Sequence, residues 1–373
     1  MLEGIRVVDL GSFITAPLAA MMLGDLGADV IKVERPEGDP FRGSHGDKYG
    51  ATFLAFNRNK RSVVLDTTSG SGREMLARLA GTADVLIDNF RPGVLERIGL
   101  EPQTLQARHP RLIHCSITGF GETGPYRNRP AFDHVGQALS GITSLLVDPA
   151  RPEAFGPTIS DNATAMYASH GVLAALVQRG RTGRGKRIEV NMLEASMAFI
   201  QDIYLNYTRT GTVSGKFARI ARSQAFVFSC ADDLMVAVHL STTEKFWREL
   251  AAALDAPELT GDERFKTHQS RVKHYHELAD TLQARFRRRS REHWIELLAG
   301  TDVPFAPVND VNSALADPQV EALGTLARMR HGEEGEVAGI ASPLLADGVR
   351  VRREMRAPPR LGEHTAEVLA EIR

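Results

Sequence analysis

An α/β fold built on a doubly wound parallel sheet is what this sequence predicts, and three observations predict it. Short β-branched runs alternate with helix-length periodic segments from Ile5 to Ile117. Parallel strands need helical crossovers of that length. The chain has 373 residues, 43% of them hydrophobic, enough for one large core and a second domain.

Residues 5–10, Ile-Arg-Val-Val-Asp-Leu, read as the first strand. A turn runs from Gly11 to Ala16, Pro17 stands where a helix can start, and residues 18–26 carry the apolar helical period. Gly27 ends that helix, and residues 29–34 form the second strand of a β-α-β unit. The rhythm continues with strands at 62–65, 84–87 and 112–117 and a helix at 72–80. A dinucleotide-binding turn needs G-x-G-x-x-G, so that the backbone can touch pyrophosphate. Here the first turn holds one glycine, Gly11, with Phe13 where the second should be. Glu34 ends strand two where a ribose-binding acid would lie, but alone it does not restore that reading.

Lys plus Arg number 45 and Asp plus Glu 46, so no global field selects nucleic acid or an anionic membrane. Residues 1–6 contain an acid and no apolar core, and no apolar run approaches bilayer length, so the expectation is a cytoplasmic chain without leader or membrane span. Cys115 and Cys230, in apolar strand-like runs, suit free core thiols in a reducing compartment. The histidines show no ligand spacing, so no metal site is expected.

The strand flanks carry the first functional signal. Strand two ends in Glu34-Arg35-Pro36, Asn57-Arg58-Asn59-Lys60-Arg61 precedes strand three, and strand four runs into Asn89-Phe90-Arg91-Pro92-Gly93, with Arg97 a turn further on. Ligands bind at the carboxyl ends of strands in open α/β sheets, and arginines there suit a polyphosphate. Each cation taken singly is more often a solvated loop charge.

The second signal is the stretch 155–161, Phe-Gly-Pro-Thr-Ile-Ser-Asp. Gly156 and Pro157 mark a loop. Asp161 then stands before residues 162–177, whose Met166, Tyr167, Val172, Leu173, Leu176 and Val177 predict a buried helix, with Gly171 packed closely against another backbone. Asp161 is either an N-cap, the commoner role, or a carboxylate nucleophile beside helix N–H donors.

Val30-Ile31-Lys32-Val33-Glu34-Arg35-Pro36, Asn59-Lys60-Arg61-Ser62, Asn89-Phe90-Arg91-Pro92-Gly93, Gly183-Arg184-Gly185 and a terminal Pro358-Pro359-Arg360-Leu361-Gly362-Glu363-His364 resemble, in that order, the class III CoA-transferase family. That family includes formyl-CoA transferase, carnitine CoA-transferase and the α-methylacyl-CoA racemases. The resemblance implies a large Rossmann-like domain (1–205 and 325–373), a smaller α/β domain (222–318), linkers at 206–221 and 319–324, and an interlocked homodimer. Residues 204–216 have little periodicity, as a connection would. The small domain is expected to hold a strand at 234–238 and helices at 244–254 and 275–287. The basic run 285–291 ends the latter helix, where cations complement the macrodipole and are solvated.

The resemblance further implies that Asp161, ionised at neutral pH like an ordinary carboxylate, attacks an acyl-CoA thioester. Aspartyl anhydride and aspartyl-CoA intermediates follow, and CoA passes to a carboxylic acid without metal or redox cofactor. Its CoA contacts carry over to Ile14, Arg35, Leu65, Asn89, Phe90, Arg91 and Arg97. Thr68 stands where a lysine is common. The racemase histidine position is Phe132, which carries no proton, so transfer is expected over racemisation, the alternative activity. His134 is two residues on, a helical spacing that turns it another way, so it is expected to be structural, with lining the site as the alternative. Asp133 matches a glutamate beside the catalytic aspartate, either tuning it or sitting in a buried salt bridge. Ile14 in place of glutamine, and the absence of glycine from residues 236–243, argue against formyl or oxalyl as the acyl group.

Overall fold

In the computed structural model of the chain, residues 1–43, 49–154, 156–241, 244–332, 335–351 and 354–372 are described. Phe155, Thr242 and Thr243, used in the sequence reading, lie outside them. The predicted alternation gives strands β1 (Arg6–Asp9), β2 (Asp29–Glu34), β3 (Lys60–Val64), β4 (Val85–Asp88), β5 (Ile113–Thr118) and β6 (Arg187–Asn191). They form one parallel sheet in the order β3-β2-β1-β4-β5-β6. The order reverses between β1 and β4, and that switch point opens a crevice at the carboxyl ends of the strands.

The helices of this region are α1 (Thr15–Asp25), α2 (Ala51–Phe56), α3 (Gly70–Gly81), α4 (Val94–Arg97), α5 (Pro102–Arg108), α6 (Asp133–Leu139), α7 (Ile142–Leu146), α8 (Ile159–Thr182) and α9 (Met192–Phe199). Successive strand residues face opposite sides of a sheet. Val7, Ile87, Cys115 and Ile117 accordingly pack under α1 and α8, whose Ala19, Leu23, Ala165, Ala168 and Val172 are buried. Val8, Ile31, Val63 and Leu86 pack on the other face against Leu76, Leu79 and Leu105 of α3 and α5. Both faces are covered, which is why these strands read as continuous apolar runs.

The chain divides into two compact units, 1–143 with 152–204 and 321–373, and 144–151 with 205–320. The second unit continues the chain with α10 (Gln201–Thr210, begun in the first unit), α11 (Ala218–Ser223), β7 (Ala225–Ser229), β8 (Met235–His239), α12 (Glu244–Ala253), α13 (His268–Lys273), α14 (Tyr275–Phe286), α15 (Arg291–Ala299), β9 (Phe305–Pro307), α16 (Val311–Leu315) and α17 (Pro318–Ala322). Strands β7, β8 and β9 pair antiparallel over Phe228, Trp247, Leu282 and Phe286. In the basic run, Arg285 pairs with Glu258 at 2.8 Å and Arg287 with Asp233 at 2.5 Å, both on the surface. In the first unit the chain closes with hairpins β10 (Leu326–His331) to β11 (Gly335–Ile340) and β12 (Leu345–Ala346) to β13 (Val349–Arg350), then α18 (Thr365–Glu371).

Four local expectations are corrected. Residues 204–210 are helical, because no Gly or Pro interrupts the chain between Gln201 and Thr210, and Tyr204 Oη donates to Ser140 O at 2.7 Å. Strand β6 was missed, its only half-buried Ile188 and Val190 giving a weak apolar signal. Helix α8 is not buried all round: Met166, Tyr167 and Val177 are exposed, although a Cβ on Gly171 would lie 2.8 Å from Ile188, so that face does pack tightly, against a side chain rather than a backbone. The run 57–61 lines no crevice, since residues that precede a parallel strand sit at the sheet's other end. Its cations are buried in ion pairs: Arg58 with Asp25 at 2.6 Å, Lys60 with Asp9 at 2.8 Å, and Arg61 with Asp29 at 2.6 Å and Glu367 at 2.8 Å.

Candidate active site

The loops that leave β1, β2, β3, β4 and β5 surround a cavity of about 700 Å³. Ile14, Arg35, Leu65, Asn89, Phe90 and Arg91 line it, and Asp161 stands at its wall. Arg97, at the end of α4, is exposed and outside the lining. Thr68 is also outside it, bonded to Asp66 Oδ1 through both its N–H and its hydroxyl, at 2.9 and 2.6 Å.

The loop after β1 is shaped by its contacts. A Cβ on Gly11 would lie 2.3 Å from the Cβ of Ala16, so only glycine fits where the chain turns into α1. Asn89 spans the switch point: its Oδ1 accepts the Ser12 N–H at 3.0 Å, and its Nδ2 donates to Ser12 O at 2.7 Å and Thr15 Oγ1 at 3.0 Å. Phe13 is thereby held at φ 65°, a left-handed conformation that costs a bulky side chain about 1–3 kcal/mol. Its ring meets Phe41 and Phe132 edge to face, at 5.3 and 5.6 Å.

The loop after β2 hangs on buried charge. Glu34 accepts two bonds from Arg42, at 2.7 and 2.8 Å, and one each from Ser62 Oγ at 2.6 Å and the Asp39 N–H at 3.0 Å. Its carboxylate is thus committed to the protein, and burial is outweighed so that its pKa lies below the usual range. Lys32 Nζ donates to Gly11 O at 2.8 Å and pairs with Asp39 at 2.9 Å, so β2 ties the first two loops together. Arg35 itself is exposed, its Nε donating to Gly38 O at 3.2 Å.

Asp161 is not the N-cap of α8. Thr158 occupies that position and Asp161 is the third helical residue, because the chain turns helical at Ile159, two residues after Pro157. Its N–H donates to Asp133 Oδ1 at 3.1 Å, across to the first residue of α6. Asp133 Oδ2 accepts from Gln137 Nε2 and lies 3.1 Å from His134 Nδ1, a ring that is half exposed and outside the cavity lining. Asp133 therefore sits beside Asp161 and pairs with His134 as well. The expectation of an ordinary Asp161 carboxylate is overturned: burial first, and the Asp133 charge second, push its pKa up to about 7. At neutral pH it is divided between carboxylate and acid.

The sequence reading did not single out Arg127 and Arg129, which also line the cavity. The Arg129 guanidinium stacks 3.9 Å over the Tyr126 ring. They lie in the polar, glycine-rich loop after β5. The rule that ligands gather at strand carboxyl ends reaches them once that fifth loop is included. Gln137, four residues after Asp133, was missed because a neutral amide carries no titratable signal.

A family model described as CoA-transferase family III matches residues 2–365. The chain is 34% identical to the succinyl-CoA:glutarate CoA-transferase of Homo sapiens over 390 residues, covering 100% of this chain and 86% of that protein. It is 33% identical to the succinate–glutarate CoA-transferase of Agrobacterium fabrum over 384 residues, covering 100% and 95%. A crystal structure of a CAIB/BAIF family protein from Brucella suis superposes with a TM-score of 0.88 at 34% identity, covering 100% of this chain and 99% of that one.

Proposed function

The chain belongs to CoA-transferase family III and is an enzyme that transfers CoA, and we propose that Asp161 is the nucleophile of that transfer. The observation that carries the proposal is a buried carboxylate, with a pKa of about 7, on the wall of a cavity built from strand-end loops. A carboxylate poised near the working pH keeps both a reactive fraction and good basicity.

The steps balance without a net proton. A carboxylate oxygen of Asp161 adds to the thioester carbonyl and the C–S bond breaks, leaving CoA thiolate and an aspartyl–acyl anhydride. The thiolate then adds to the Asp161 carbonyl, expelling the donor acid and leaving an aspartyl-CoA thioester. The acceptor carboxylate reverses both steps and restores Asp161. Covalent intermediates conserve the thioester energy, which a water-based route would lose. Arg35, Arg91 and Asn89 are the proposed CoA contacts, charge-assisted where the cations meet phosphates. Arg97 enters only if its side chain swings toward the bound nucleotide.

Succinate and glutarate, the acids in the names of the human and Agrobacterium relatives, are dicarboxylates. We propose the same class here, with Arg127 or Arg129 offering a bidentate fork to the far carboxylate. A homodimer is also proposed. Exposed Met166, Tyr167 and Val177 on α8 and Phe199 on α9 support it, as apolar side chains that a second copy would cover. The test is to supply succinyl-CoA with a panel of mono- and dicarboxylic acids and follow acyl-CoA masses. Transfer to C4–C6 dicarboxylates above monocarboxylates is expected, and equal transfer to both would overturn the dicarboxylate reading.

A further inference from the structure

We infer that Gln137 is a positioning residue of the transfer reaction: through Asp133 and Pro157 it fixes the first turn of α8, and with it the direction from which Asp161 meets the thioester. The inference rests on Asp161 being the nucleophile. Asp133, Gly136 and Gln137 stand at i, i+3 and i+4 of α6 and so share one face, which meets the start of α8. Each makes a separate contact there.

Asp133 Oδ1 accepts the Asp161 N–H at 3.1 Å. Gly136 touches the next residue back, since a Cβ on it would lie 2.2 Å from Ser160 Oγ. Gln137 is buried, 2% exposed, and its Nε2 donates both to Asp133 Oδ2 and, at 3.2 Å, to Pro157 O. Both neighbours are pure acceptors, so the amide nitrogen, not its oxygen, must face them. One side chain thus uses both amide hydrogens to join the carboxylate under Asp161 to the loop that starts its helix. Pro157 O also accepts the Ile159 N–H at 2.9 Å, the first helical residue. Ser196 Oγ of α9 also donates to Ser160 Oγ at 2.8 Å. The first turn of α8 is held by α6 and α9, and Gln137 is the tie that reaches two points at once. It does not line the cavity, so its part is to position rather than to touch substrate.

The test uses the full-length enzyme and Gln137→Met, which keeps length and loses both donors. A misplacement of about 1 Å at a reacting group lowers rate by about a hundredfold. The expected result is kcat lower by about 10- to 100-fold, KM for acyl-CoA within about twofold, and a smaller effect of Q137M in an Asp133→Asn background than in wild type. A kcat within about twofold of wild type, or losses that multiply fully with those of D133N, would overturn the inference. Should Q137M not fold, Gln137→Glu decides. The introduced carboxyl, standing between Asp133 Oδ2 and Pro157 O, can donate only while protonated. Its kcat relative to wild type should therefore fall as pH rises from 5 to 8, and a flat ratio would overturn the inference. Asp161→Asn is the control: if it still transfers, the nucleophile reading falls whatever Gln137 does. If it is dead while Q137M is unimpaired, only the positioning role falls.

Discussion

Asp133→Asn should move the acidic limb of the transfer reaction toward lower pH. In the native enzyme the Asp161 pKa rises from the ordinary 3.8 to about 7, a displacement of about 3 pH units or about 4 kcal/mol. Burial is the larger cause and the Asp133 charge the smaller, so removing that charge recovers the lesser part of the displacement. The substitution removes the charge but keeps an oxygen able to accept the Asp161 N–H, now 3.1 Å from Asp133 Oδ1. The sign follows: with no neighbouring negative charge the carboxylate form is less disfavoured, its pKa falls, and reactive Asp161 persists into more acidic solution. The assay is log kcat/KM for a fixed acyl-CoA and acceptor between pH 5 and 9. The limb should move below its native position near pH 7, whatever happens to the plateau. A limb that stays in place or moves up would refute the electrostatic coupling of the two carboxylates.

Asp161→Asn should stabilise the fold while abolishing transfer, because an acid whose folded pKa is raised contributes stability below its unfolded pKa and loses it as pH rises to the folded one. The gain in unfolding free energy should be near zero at pH 3.5 and reach up to about 4 kcal/mol above pH 7; an equal thermal midpoint for both proteins at pH 8 would contradict the buried-acid account. Arg91→Ala should weaken CoA binding by about tenfold or more, with a shallower salt dependence and a thermal midpoint close to wild type, since the side chain is exposed on the cavity rim; calorimetric titration with CoA showing unchanged affinity would remove it from the site.

Much of the sheet was legible because most of its strands are buried on both faces and announce themselves as apolar runs such as Val85-Leu86-Ile87. The crevice was legible for a related reason: the chain crosses from strand to helix at residues such as Gly11, Asn89 and Gly93, where backbone constraints select few residue types. The failures are tertiary. Lys60 and Arg61 look like ligand-binding cations in a string of letters, yet their partners Asp9, Asp29 and Glu367 are distant in sequence. The same holds for Asp161, whose pKa is set by burial and by a carboxylate 28 positions away. Met166 and Tyr167 read as core because apolar character does not say whether protein or solvent lies beyond the helix. Gln137 gave no sign, its role depending wholly on what it touches.

The nucleophile is tested most directly by catching it loaded. Enzyme mixed with succinyl-CoA alone, quenched in acid and digested, should yield the peptide containing Asp161 with a CoA thioester or succinyl anhydride mass. Hydroxylamine should discharge it to a hydroxamate at Asp161 itself. The Asp161→Asn protein should show no such adduct and no transfer once deamidation is excluded by mass. An adduct on another residue, or undiminished transfer by the asparagine variant, would contradict the account.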